Sequence, residues 1–136
     1  EKILNDEIEA GLMNKDIYEN FQIKANNIKD TFVQFLLNAK YDKKVVAGYG
    51  AAAKGNTLMN YAGIKRDMIS FVCDAAVSKI GKYLPGSKIP ISDEKNLKKK
   101  PDIYFLLSHN FIDEILKKNK NQNFLVPFPK IKIVKC

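Results

Sequence analysis

From Lys43 onward the chain alternates short apolar runs with stretches of helix length, and this rhythm restricts the fold more than any other feature. Residues 45–49, 68–73, 103–107, 124–126 and 131–134 read as strands, with 88–91 as a weaker one. Helices are expected over 53–61, 93–98 and 111–118. Strands separated by helices call for a mostly parallel sheet covered on both faces, because parallel crossovers carry their helices over the sheet. The expected architecture is an α/β three-layer sandwich with a mostly parallel sheet.

Two helices precede it. Ile17, Tyr18, Phe21, Ala25, Ile28, Phe32, Phe35, Leu36 and Ala39 recur at helical spacing over residues 16–39, so one apolar face is expected to be covered. Ile3, Leu4 and Ile8 form a shorter version over residues 2–12, closing near Gly11. The division is therefore a helical lead-in over 1–40 and the sheet domain over 41–136. Residues 78–90, with two glycines and two prolines, form the one long irregular connection.

At 136 residues the chain suits one domain able to bury its own core. No apolar run approaches the roughly 18 residues of a membrane span, and the start lacks a signal-peptide pattern. Two distant cysteines, Cys73 and Cys136, fit a reducing cytoplasm, and with one histidine they supply no zinc-ligand spacing. Beginning at Glu1 and not Met suggests a piece of a longer protein. The net charge of +8 is uneven: residues 1–40 carry five lysines against seven carboxylates, while the remainder carries 18 basic and 8 acidic groups. A basic body attracts anions. The lysines at 98–100 and 117–120 also fall where helices should end, where they complement the helix dipole without any ligand.

Gly48-Tyr49-Gly50-Ala51-Ala52-Ala53 follows the first strand and matches G-x-G-x-x-A. Glycines permit a tight turn and close backbone approach, and a helix starting there aims free N–H groups at a ligand. Asp74, 24 residues after Gly50, sits where a dinucleotide fold places its ribose-binding acid. Lys54, in the first helical turn, opposes the dipole unless an anion is near, and Asn56 and Thr57 add polar groups. The same glycines, Gly50 and Gly55, would equally serve close strand–helix contact. Lys79, Lys82 and Tyr83 of the long connection should lie over the carboxyl ends of the strands and could meet a pyrophosphate or sugar. Cys73 reads as a small buried residue. The segment 124–129, FLVPFP, reads as a strand end and turn that could face a partner domain.

Three strings, "GYGAAAKGNTLMNYAGI", "DAAVSKIGKYLPGSKIPI" and "PDIYFLLSHN", occur in that order. Together they closely resemble the C-terminal domain of S-adenosylmethionine-dependent sugar C-methyltransferases, which act on nucleotide-linked deoxysugars. "EAGLMNKDIYENFQIKANNIKD" resembles the helical lead-in to that domain, so nearly the whole chain is covered. The resemblance implies a parent enzyme with an N-terminal zinc-binding region, a middle domain holding the methyl donor and the catalytic base, and this domain as a second Rossmann-like unit closing the nucleotide-sugar cleft. The implied reaction is methyl transfer to a sugar carbon beside a keto group. No catalytic residue and no methyl-donor motif is expected within this chain, and S-adenosylmethionine would bind outside it. His109-Asn110 stands where the family commonly has Trp-Asn, which removes any stacking role for that tryptophan.

The residues expected to hold a nucleotide-sugar are thus Gly50, Ala51, Lys54, Gly55, Asn56, Thr57, Asp74, Lys82, Tyr83, His109 and Asn110. Two other readings compete. One is an NAD(P)-binding oxidoreductase domain using Asp74 for the ribose. The other is a non-enzymatic anion- or nucleic-acid-binding module, against which the lack of aromatics interleaved on a basic face weighs.

Overall fold

The structure is a computed structural model and describes residues 1–128 and 130–135. Pro129, Cys136 and the side chain of His109 lie outside the described part. The helical lead-in comprises α1 (Lys2–Glu9) and α2 (Lys15–Tyr41). Gly11 breaks between them with φ 76°, and Asn14 caps α2 by accepting from the Asp16 amide at 3.0 Å.

The sheet contains β1 (Val46–Tyr49), β2 (Val72–Cys73), β3 (Ile91–Ser92), β4 (Ile103–Leu106), β5 (Asn123–Val126) and β6 (Lys132–Lys135) in the order β3-β2-β1-β4-β5-β6. The first five pair in parallel and β6 runs antiparallel to β5. α3 (Ala53–Tyr61) joins β1 to β2, and α4 (Ile112–Lys118) joins β4 to β5. Strand order reverses between β1 and β4, the switch point at which open α/β sheets form their ligand crevice.

The period of two along the strands divides the core. Val46, Val72, Ile103, Phe105, Leu107 and Leu125 face α2 and α3, where Phe32, Leu36, Leu58 and Met59 are buried. Phe32 and Phe105 rings meet at 4.5 Å. Ala47, Cys73, Tyr104, Leu106, Phe124 and Val126 face the other way, against Ile112, Ile115 and Leu116 of α4. The result is the expected three-layer α/β arrangement with a mostly parallel sheet.

Local departures have local causes. The strand expected over 68–73 pairs only at Val72–Cys73, because the amides of Met68 and Ile69 turn back to the Lys65 carbonyl. The weak strand near 88–91 is displaced to Ile91–Ser92, since Lys88 has φ 56° and the Leu84 amide closes a turn onto the Ile89 carbonyl. The helix expected over 93–98 is a single 3₁₀ turn, Glu94–Asn96, capped by Asp93. The Pro-Asp pair before β4 is a clamp: the Asp102 carboxylate accepts from the Val45 amide at 2.7 Å, and the Asp102 amide donates to the Val45 carbonyl at 2.9 Å. That fixes the register at which β1 meets β4.

Candidate ligand site

Gly50 leaves β1 with φ 77°, a conformation glycine adopts without steric cost. A Cβ there would stand 2.2 Å from Ser108 Oγ, so the ends of β1 and β4 close on each other at the switch point. The next amide, Ala51 N–H, donates to Asp74 Oδ2 at 2.7 Å, and Ala76 N–H donates to Oδ1 at 2.8 Å. The Lys79 ammonium lies 3.1 Å from Oδ2 and also donates to the Ala51 carbonyl at 3.0 Å. Burial pushes the Asp74 carboxyl upward, but the Ala76 and Ala51 amides and Lys79 outweigh it and hold it below the usual carboxylate value. The acid that spacing alone places on a ribose is bonded to the glycine loop itself.

Two hollows flank this loop. One, about 300 Å³, lies over the carboxyl ends of the strands and is lined by Tyr49, Gly50, Asp74, Asp93, Glu94, Lys95 and Ser108 among others. Three carboxylates against one lysine make it a poor phosphate site. Glu94 is further engaged by the Tyr104 hydroxyl at 2.9 Å. Beneath it Cys73 is buried, and desolvation reinforced by Glu94 pushes its thiol up to about 12, which makes it inert at neutral pH.

The second hollow, about 350 Å³, is bounded by residues 51–53, Asn56, Lys79, Lys82 and Tyr83, with an apolar floor of Leu84, Pro85 and Ile91. Here α3 begins at an N-cap, Ala52, whose side chain caps nothing, so the first amides of the helix remain as donors. The buried Asn56 Oδ1 also lacks a hydrogen-bond partner among the described residues. Lys79 is neutralised by Asp74, whereas Lys82 has no carboxylate within ion-pair distance among the described residues. Tyr83 is 63% exposed. The loop carrying them is held in place by α3 and its C-terminal turn: Asn60 Nδ2 donates to the Pro85 carbonyl and the Lys65 ammonium to the Gly86 carbonyl, both at 3.0 Å.

The structure thus brings Gly50, Ala51, Asn56, Asp74, Lys82 and Tyr83 together around the loop and the amino end of α3. It does not bring the side chains of Lys54 and Thr57 there. Those two border a groove on the α2 side of α3, with the Lys54 ammonium donating to Asn110 Oδ1 at 3.3 Å and the Thr57 hydroxyl to the Ala53 carbonyl at 3.0 Å. Gly55 is buried, and a Cβ on it would lie 2.4 Å from Leu107 Cβ, so its role is close helix–sheet contact. His109 falls in the 3₁₀ turn His109–Phe111, and the expectation for its side chain lies outside the described part. Ser108 and the Asp93–Lys95 turn were not legible as site residues, since their approach to Gly50 and Asp74 arises only once β3 and β4 join the sheet.

Comparison with known proteins adds the family. Residues 1–129 match the family described as C-methyltransferase C-terminal domain. Among curated proteins, the chain is 33% identical over 139 residues to C-methyltransferase NovU of Streptomyces niveus, covering 98% of this chain and 33% of the relative. The chain therefore spans about a third of the length of the curated relative it matches.

Proposed function

The chain belongs to the C-methyltransferase C-terminal domain family, and from that membership we propose that it provides the phosphate-binding wall of a nucleotide-sugar site. The observation that carries this reading is the second hollow, where the uncapped amino end of α3 faces Lys82 and Tyr83. Helix amides and an unpaired ammonium suit a diphosphate, and an exposed tyrosine ring can cover a base or sugar. Methyl transfer to the sugar belongs in this reading to the rest of a longer enzyme.

S-adenosylmethionine, the methyl source that the family implies, does not fit the residues of this chain. Its ribose would call for a free acid at a strand end, and Asp74, which stands there, is bonded to Ala51, Ala76 and Lys79. The donor is accordingly assigned to polypeptide outside this chain. The same engagement of Asp74 argues against the NAD(P)-binding alternative.

Calorimetric titration with thymidine and uridine diphosphate sugars tests the proposal. Lys82→Ala should weaken binding about tenfold, equivalent to about 1.4 kcal/mol, while NADH gives no heat. Equal affinity of the variant, or tighter binding of NADH, would contradict it.

A further inference from the structure

We infer that the first half of α2, together with the groove between α2 and α3, is the seat of the remaining polypeptide of a longer C-methyltransferase. This rests on family membership and not on the ligand reading, so either can fail without the other. One apolar stripe runs the length of α2 at spacings of three and four: Tyr18, Phe21, Ala25, Ile28, Phe32, Phe35 and Ala39. Such a stripe stabilises a helix only where something covers it. The sheet covers the second half, leaving Phe32 at 0% and Ala39 at 4% exposure, but Phe21 of the same stripe is 72% exposed and Tyr18 is 56% exposed. A helix of 27 residues is about 40 Å long, and its buried residues, Phe32, Leu36 and Ala39, all lie in its second half. α1 buries none of its residues and leaves Ile3 and Ile8 exposed.

Where the stripe passes from exposed to buried, the surface opens into a groove of about 790 Å³ walled by Phe21, Ile28, Leu58 and Tyr61, with Lys24 and Lys54 beside them. Neither lysine has a carboxylate within ion-pair distance among the described residues, although six ion pairs form elsewhere. The surface that fits is an apolar ridge flanked by carboxylates. The relative has about two thirds of its length outside the matched stretch. As the family is described as a C-terminal domain, that polypeptide lies ahead of the match and meets the lead-in helices first. A covalent tether gives it an effective concentration near the millimolar range, which favours it over a second copy of this chain.

Hydrogen exchange on this chain and on full-length NovU distinguishes the occupants. In this chain, amides of residues 15–28 should exchange at least about tenfold faster than those of 32–41. In NovU, the segment aligned with 15–28 should be as protected as its continuation. Equally fast exchange of that segment in NovU would overturn the inference. Sedimentation should find this chain monomeric, and Phe21→Asp should leave its melting temperature unchanged. A dimer that Phe21→Asp dissociates would assign the face to a second copy and overturn it as well.

Discussion

At the scale of single residues, the glycine loop divides its roles in a way that spacing alone left open. The missing side chain of Gly55 is required by Leu107, which leaves no room for a Cβ. Gly55→Ala should therefore lower stability by about 1–3 kcal/mol, as overfilling a close contact does; urea unfolding would show it, and an unchanged midpoint would refute the contact. Asp74 was legible as an important acid because it ends a strand at a suitable distance from Gly50. Its real partner, the Ala51 amide, was not legible, since that bond joins the ends of two strands brought side by side only in the folded sheet. The consequence for pH has a definite sign. A carboxyl held below its ordinary value of 3.8 stabilises the fold above that pH and loses this effect as pH falls through its folded value. The stability gap between the native chain and Asp74→Asn should be full near pH 6 and shrink below pH about 4. A gap independent of pH would show that the charge of Asp74 contributes nothing.

Among elements, legibility tracked the number of periods available. α2 and strands β1, β4 and β5 each carry several apolar positions in register, and all of them form. β2 and β3 pair over two residues each; their ends are set by turns at Lys65, Leu84 and Lys88 that composition does not encode. The Asp93–Lys98 segment contains helix-compatible residues and an N-cap in Asp93, yet it makes one 3₁₀ turn, because Leu97 is already extended at φ −72° and ψ 124° as the chain runs on to β4. α2 offers a test within one element. Phe32 packs its ring against Phe105 in the core, tilted by 32°, so Phe32→Ala should cost about 3–5 kcal/mol. Phe21→Ala, on the exposed half of the same stripe, should change stability by less than about 0.5 kcal/mol. Comparable losses at both positions, measured by thermal unfolding, would mean that this domain already covers the whole helix.

For the molecule as a whole, the alternation of strands and helices made the three-layer fold readable, and the motif strings made the family readable. Position around the fold was not. Nothing in the order Gly50, Lys54, Lys82 tells which side of α3 each will occupy, and the structure separates Lys54 from the hollow that Lys82 borders. The positive excess after residue 40 is likewise a property of the surface until one cation is found beside unspent helix amides. Amide chemical-shift titration of the isotope-labelled chain with thymidine diphosphate, compared with thymidine alone, addresses that point most directly. The diphosphate should move the signals of Ala53–Asn56 and Lys82–Tyr83 most, and thymidine alone should leave those of Ala53–Asn56 still. Shifts confined to the acidic crevice at Asp93–Lys95, or no shifts near α3 at saturating diphosphate, would contradict the proposed diphosphate site.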